Sequence, residues 1–256
     1  MSAAQPALAW RALIEKASAP YQRSGRFAWH FARGKLRWDP VFGHLLAKGL
    51  IAPRARVLDI GCGQGLLASL VGAAGHAARQ GRWPSAWAEA PVDARVSGID
   101  LRARDVARAR DALGDGADFV CADMRTAAFA AVDTVVILDV LHYVSIAEQD
   151  AVLARVRAAL PVGGRLLLRV GDAGSRRRIA ATRWVDRVVT FARGQRVDHG
   201  ATRTLAAWTA RLHELGFTVA SEPMHRGTPF ANVLVVGTVA RAPVDRDRAP
   251  DGAGDA

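Results

Sequence analysis

The sequence predicts an α/β fold: a seven-stranded, mostly parallel sheet with helices on both faces. Three observations carry this. Short apolar runs alternate with helical patterns through the middle of the chain, as in a parallel sheet with crossover helices. Four successive runs end at, or within two residues of, an aspartate. The last two runs are joined by a turn bearing Pro and Gly and close the sheet as an antiparallel pair.

The five parallel strands are expected at Arg56–Ile60, Arg95–Asp100, Ala117–Cys121, Val132–Asp139 and Gly164–Val170. Helices are expected at Leu66–Ala74, Arg102–Leu113 and Ala147–Leu160, the last stopped by Pro161, Gly163 and Gly164. A further helix at Thr204–Leu215 ends at Gly216, and the final strands are Phe217–Glu222 and Asn232–Val239. Three segments fall outside this regular pattern: residues 1–50, 72–95 and 171–203, which hold six of the seven tryptophans. The expected organisation is an aromatic and basic N-terminal cap (1–50) and a core (51–240). The core carries an insertion at 72–95 and a basic cap insertion at 171–203, and a disordered tail follows (241–256).

Composition bounds the function. The 256 residues, half of them apolar, suffice for one large domain. Two cysteines, Cys62 and Cys121, support neither a disulfide scaffold nor a structural zinc site. Residues 1–20 lack the pattern of a signal peptide, and no apolar run approaches the ~20 residues of a membrane span, so a cytoplasmic protein is expected. The formal charge of +11 sits mostly in two places: residues 1–50 contribute +6 and residues 171–200 contribute +4. Only Lys16, Lys35 and Lys48 are lysines among 35 basic residues, a bias toward Arg that weakens any nucleic-acid reading from charge alone.

The chemistry is carried by Val57-Leu58-Asp59-Ile60-Gly61-Cys62-Gly63-Gln64-Gly65. An apolar strand ends near an acid, and three glycines at alternate positions lead into a helix. Glycines there let a ligand approach the backbone closely. A pyrophosphate site would avoid a nearby carboxylate, whereas Asp59 favours a cationic ligand, an ammonium or a sulfonium. Asp100 stands at the end of the second strand, where ligands of open α/β sheets bind, and can accept a ribose diol. Asp123 follows the third strand and Asp139 the fourth.

These motifs resemble the class I S-adenosylmethionine-dependent methyltransferases, over about residues 56–239, and imply their Rossmann-like fold. The resemblance places Gly61, Cys62, Gly63 and Gly65 beneath the methionine part of S-adenosyl-L-methionine, with Asp59 near its amino group. It gives the ribose to Asp100 and the adenine to Leu101, Asp123 and Met124, and sets Leu138 and Asp139 beside the reacting sulfonium. The 41 positions from Asp59 to Asp100 are about twice the usual separation, because of the insertion at 72–95.

His142 follows the fourth strand and is the candidate base where the nucleophile must lose a proton; packing at a helix start is the other reading. Tyr143 either lines the methyl pocket or is buried against the sheet. No metal is expected, since only Asp172 follows the fifth strand. The basic caps suggest an anionic acceptor, small or carried on an acidic protein, with Arg26, His30 and Lys35 as contacts; a solvated basic face is the alternative. Residues Phe31 to Phe42 are similar to methyltransferases encoded beside bacterial aryl-polyene pigment pathways, which implies a carrier-linked phenolic or polyene acceptor. Aconitate-type methyltransferases imply a small carboxylic acid instead. O-methylation of a phenol or carboxylate is therefore expected, with an RNA methyltransferase or a non-catalytic binding module as rivals. The chain lacks both a familiar nucleic-acid module and the Asn/Asp-Pro-Pro-aromatic run of amino-methylating DNA enzymes.

Overall fold

The computed structural model describes residues 4–114, 118–171, 203–224 and 232–240. Strands β1 (Arg56–Ile60), β2 (Arg95–Asp100), β3 (Phe119–Cys121), β4 (Thr134–Leu138), β5 (Arg165–Gly171), β6 (Phe217–Pro223) and β7 (Asn232–Val239) form one sheet, ordered β3-β2-β1-β4-β5-β7-β6. The first five are parallel, and β7 runs antiparallel between β5 and β6. The strand order reverses between β1 and β4, so the C-terminal ends of these strands open the crevice where doubly wound sheets bind ligands.

Helices α4 (Leu66–Arg79), α5 (Ala103–Leu113), α6 (Ile146–Ala159) and α7 (Leu205–Glu214) follow the expected crossovers. The alternation within β1 sorts the core. Leu58 and Ile60 join Val152, Leu153 and Val156 of α6 and Trp208 and Leu212 of α7, whereas Val57 faces the other side. Ser145 caps α6 reciprocally with Glu148, so the chain leaves the turn after β4 at a fixed angle.

The N-terminal fifty residues are helical: α1 (Ala4–Ser18), α2 (Arg26–Trp38) and α3 (Pro40–Ala47). Leu13, Ile14, Ala17, Tyr21, Ala28, Ala32, Leu36, Leu45 and Leu46 complete the core on the Val57 face of the sheet. Arg165 on β5 fastens this segment at one level, donating to the carbonyls of Gly49 (3.1 Å) and Leu50 (3.2 Å).

The insertion that lengthens the β1–β2 connection divides into the last turns of α4 and an irregular stretch. Ala88 N–H donates to the Ala47 carbonyl (3.0 Å) and Arg54 N–H to that of Val92 (2.8 Å). Trp87 packs on Trp83 and Trp10, with ring centroids 5.1 and 6.4 Å away. These bonds place the stretch at the N-terminal edge of the sheet, opposite the crevice. Residues 172–202 of the cap insertion, His199 among them, and the tail 241–256 lie outside the described residues, as do Ala117 and His225.

Candidate active site

The turn after β1 is bent over the end of β2. Gly61 and Cys62 N–H both donate to the Ile99 carbonyl, at 2.8 and 3.1 Å. Gly61 has φ +80°, and a Cβ there would lie 2.3 Å from Val140 Cγ1, so only glycine lets the turn after β4 close against it. Gly63, at φ +54°, has open space where its side chain would be. A backbone cradle with a bare face toward the crevice is what a closely held ligand requires.

Asp59 is buried at 5 % exposure and, among the described residues, no hydrogen bond or cation acts on its carboxyl. Burial, with the neighbouring charge of Asp100, pushes its carboxyl up to about 7. Asp100 is held by backbone amides: Oδ2 accepts from Gly63 N–H and Oδ1 from Arg102 N–H, both at 2.8 Å. Each oxygen keeps a lone pair, enough for a vicinal diol. Leu101 beside it is 60 % exposed, an uncovered apolar surface at the crevice.

The acids of the next two strands differ. Arg125 grips Asp123 with its backbone N–H (2.8 Å), Nε (2.9 Å to Oδ2) and Nη2 (2.6 Å), and also reaches Glu148 (3.2 Å). The Arg125 hydrogen bonds hold the Asp123 carboxyl below its ordinary range. Met124 is half-buried, and its carbonyl accepts from Arg155. Asp139 follows Leu138 with φ +59° and is paired with Arg169, Nε to Oδ1 at 2.8 Å and Nη2 to Oδ2. His142 and Tyr143 stand in the short helical turn Leu141–Tyr143, ring centroids 4.1 Å apart. Gln149 pins this turn by donating to the carbonyls of Leu141 (3.1 Å) and Val144 (3.2 Å).

The three N-terminal candidates are spread along α2. Arg26 and His30 are exposed, and Lys35 pairs with Asp39 at 2.7 Å. Residues that the sequence reading missed tie this segment to the crevice. The buried Tyr21 hydroxyl donates to the Gln64 carbonyl within the glycine turn (2.8 Å), and Gln64 Nε2 donates to the Ala28 carbonyl (3.0 Å). Asp39 pairs with Arg169, whose side chain is 2 % exposed. The signal for Arg169 was present: one charge inside the apolar run Leu166-Leu167-Leu168-Arg169-Val170 demands a buried partner.

Residues 9–222 match a family model described as a methyltransferase domain. A carboxy-S-adenosyl-L-methionine synthase from Chromohalobacter salexigens is 32 % identical over 140 residues, covering 50 % of this chain and 47 % of that protein; the chain thus spans about half the length of this curated relative. The fold is shared with magnesium protoporphyrin IX methyltransferase from Synechocystis PCC 6803 with bound SAH: 21 % identity, 83 % of this chain and 88 % of that one, TM-score 0.55. It is also shared with an O-methyltransferase family protein from Burkholderia thailandensis: 18 % identity, 82 % and 57 % covered, TM-score 0.58. With the glycine turn, the acid-lined edge and a match across most of its length, the chain belongs to the methyltransferase domain family, in its class I, S-adenosylmethionine-dependent branch.

Proposed function

We propose that the chain transfers a methyl group from S-adenosyl-L-methionine to oxygen on an anionic acceptor, a phenol or carboxylate that is small or linked to a carrier protein. The observation that supports this most is the pairing of an open glycine turn with two carboxylates, Asp59 and Asp100, that no cation compensates among the described residues. The residues fit the cofactor: the bare face of Gly63 admits it and an unpartnered buried acid suits its ammonium.

In this reading Asp59 takes the amino group, Asp100 takes the ribose hydroxyls, and Leu101 and Met124 flank the adenine. Asp123 accepts from the adenine amino group through a remaining lone pair, since Arg125 donates to both of its oxygens. Gly61, Cys62 and Gly65 shape the turn, and Leu138 and Asp139 border the methyl. The bound cofactor supplies an electrophilic methyl on a sulfonium. The protein's work is then alignment and exclusion of water, with the nucleophile held in line at near-contact distance. His142 removes a proton where the attacking oxygen carries one, and Tyr143 lines the pocket beside it. Arg26, His30 and Lys35 offer cationic contacts to the acceptor; Lys35 does so by exchanging its Asp39 partner.

Methyl-labelled S-adenosylmethionine offered with panels of phenols, carboxylates and their carrier-linked thioesters tests the reading. Label in a base-labile ester or an aryl ether supports it. Label only in added RNA, with binding that falls steeply with salt, would replace it with the RNA reading.

A further inference from the structure

Arg169 stands on β5 opposite Leu138 of β4 and points to the face covered by the N-terminal helices. It is buried between two carboxylates from distant parts of the chain. Asp39 lies at the α2–α3 junction, where its Oδ1 accepts from Val41 N–H (3.2 Å) and caps α3. Asp139 opens the turn that carries His142 and Tyr143. Arg169 Nη2 donates to Asp39 Oδ2 at 2.8 Å, Nη1 donates to Asp39 Oδ1, and Nε and Nη2 donate to Asp139. Lys35 completes the cluster through Asp39, so two carboxylates balance two cations. Burial works to raise the Asp39 carboxyl, but the Arg169 hydrogen bonds and charge, with Lys35, outweigh it and hold it at about 2.

Asp139 adopts the left-handed conformation that non-glycine residues rarely take, and such backbone persists only where its surroundings over-determine it. Here Arg169 fixes both its side chain and its backbone, the Asp139 N–H donating to the Arg169 carbonyl at 3.3 Å. The next residue is Val140, which closes on Gly61. One chain of contacts therefore runs from the N-terminal helices through Asp39, Arg169 and Asp139 to the glycine turn.

We infer that Asp39 and Arg169 are positioning residues: docking of the α2–α3 junction through this buried ion cluster sets the turn from Asp139 to Val144 against the glycine turn. The consequence for cofactor binding rests on the methyltransferase reading; the positioning itself does not. Asp39→Asn keeps a good helix cap but removes one charge of the cluster. Arg165→Met is the control, since it frees the same N-terminal segment from the same strand but at Gly49 and Leu50, away from the crevice.

The experiment is amide hydrogen exchange of the full chain, followed by titration with S-adenosylhomocysteine. Asp39→Asn is expected to speed exchange in residues 139–144 about tenfold and to weaken binding at least fivefold. Arg165→Met is expected to lower thermal stability yet leave both within about twofold of the wild type. Equal exchange in 139–144 for the two variants, or none above wild type in Asp39→Asn, overturns the inference. Wild-type protein that binds no S-adenosylhomocysteine refutes the methyltransferase reading, while the exchange comparison still decides the positioning.

Discussion

Four aspartates reach one edge of the sheet, yet they form two unlike pairs. Asp59 and Asp100, within β1 and at the end of β2, face no cation among the described residues; one is unpartnered and the other is held by backbone amides. Asp123 and Asp139, after β3 and β4, are each gripped by an arginine. The difference teaches that counting acids overstates the field of a site. Charge already neutralised by a fixed guanidinium shapes a loop, whereas uncompensated charge is free to recruit a cationic ligand.

Four substitutions sharpen or break this division. Asp100→Ala removes both open acceptor positions and frees Gly63 N–H from its partner; S-adenosylhomocysteine should bind about a hundredfold more weakly or worse, roughly 3 kcal/mol for two charge-assisted hydrogen bonds. Asp123→Ala should cost tenfold or less by the same titration, because its carboxylate is largely spent on Arg125. A larger loss for Asp123 than for Asp100 would invert the division. Tyr21→Phe leaves the buried Gln64 carbonyl without its donor; urea unfolding should show a loss of about 1–2 kcal/mol. Arg56→Ala breaks an exposed pair with Asp133 at the opposite edge of the sheet, where solvent screening leaves little or no stability to lose and binding should not change.

Much of the frame was legible. The bounds expected for β1 and β2 match the structure residue for residue because each run is apolar and sharply bounded by an acid or a turn. The N-terminal helices were hidden for a physical reason visible in α2. Its buried face is Ala28, Ala32 and Leu36, while Phe27 and Trp38 stand 68 % and 73 % exposed. Ala28, Ala32 and Leu36 recur at helical spacing, with Trp29 and Phe31 also packed on the core, but the exposed Phe27 and Trp38 blur this stripe and the sequence reading passed over it. The glycine turn and its acids could be found because their chemistry is local. Tyr21 and Asp39 could not, since Gln64 and Arg169, the partners that tie them to the site, lie 43 and 130 positions away, whereas Arg169 stood out as a charge within an apolar run.

The unpartnered state of Asp59 is the centre of this account, and its pH dependence tests it most directly. Its carboxyl is raised to about 7 in the protein alone, so below that pH it is protonated and must lose its proton to hold an ammonium. Affinity for S-adenosylhomocysteine should therefore fall as pH drops from about 7.5 to about 5.5, approaching tenfold per unit, and Asp59→Asn should bind weakly with a flat profile. The same raised value means that the fold without ligand loses stability as pH rises from the ordinary carboxylate range through about 7. Asp59→Asn should consequently be more stable than wild type at about pH 8 and no more stable at about pH 4. Calorimetric titration of both proteins across this range is the measurement. A steep wild-type profile beside a flat mutant one is the predicted result; parallel profiles would contradict the assignment of Asp59 as the open acid of the site.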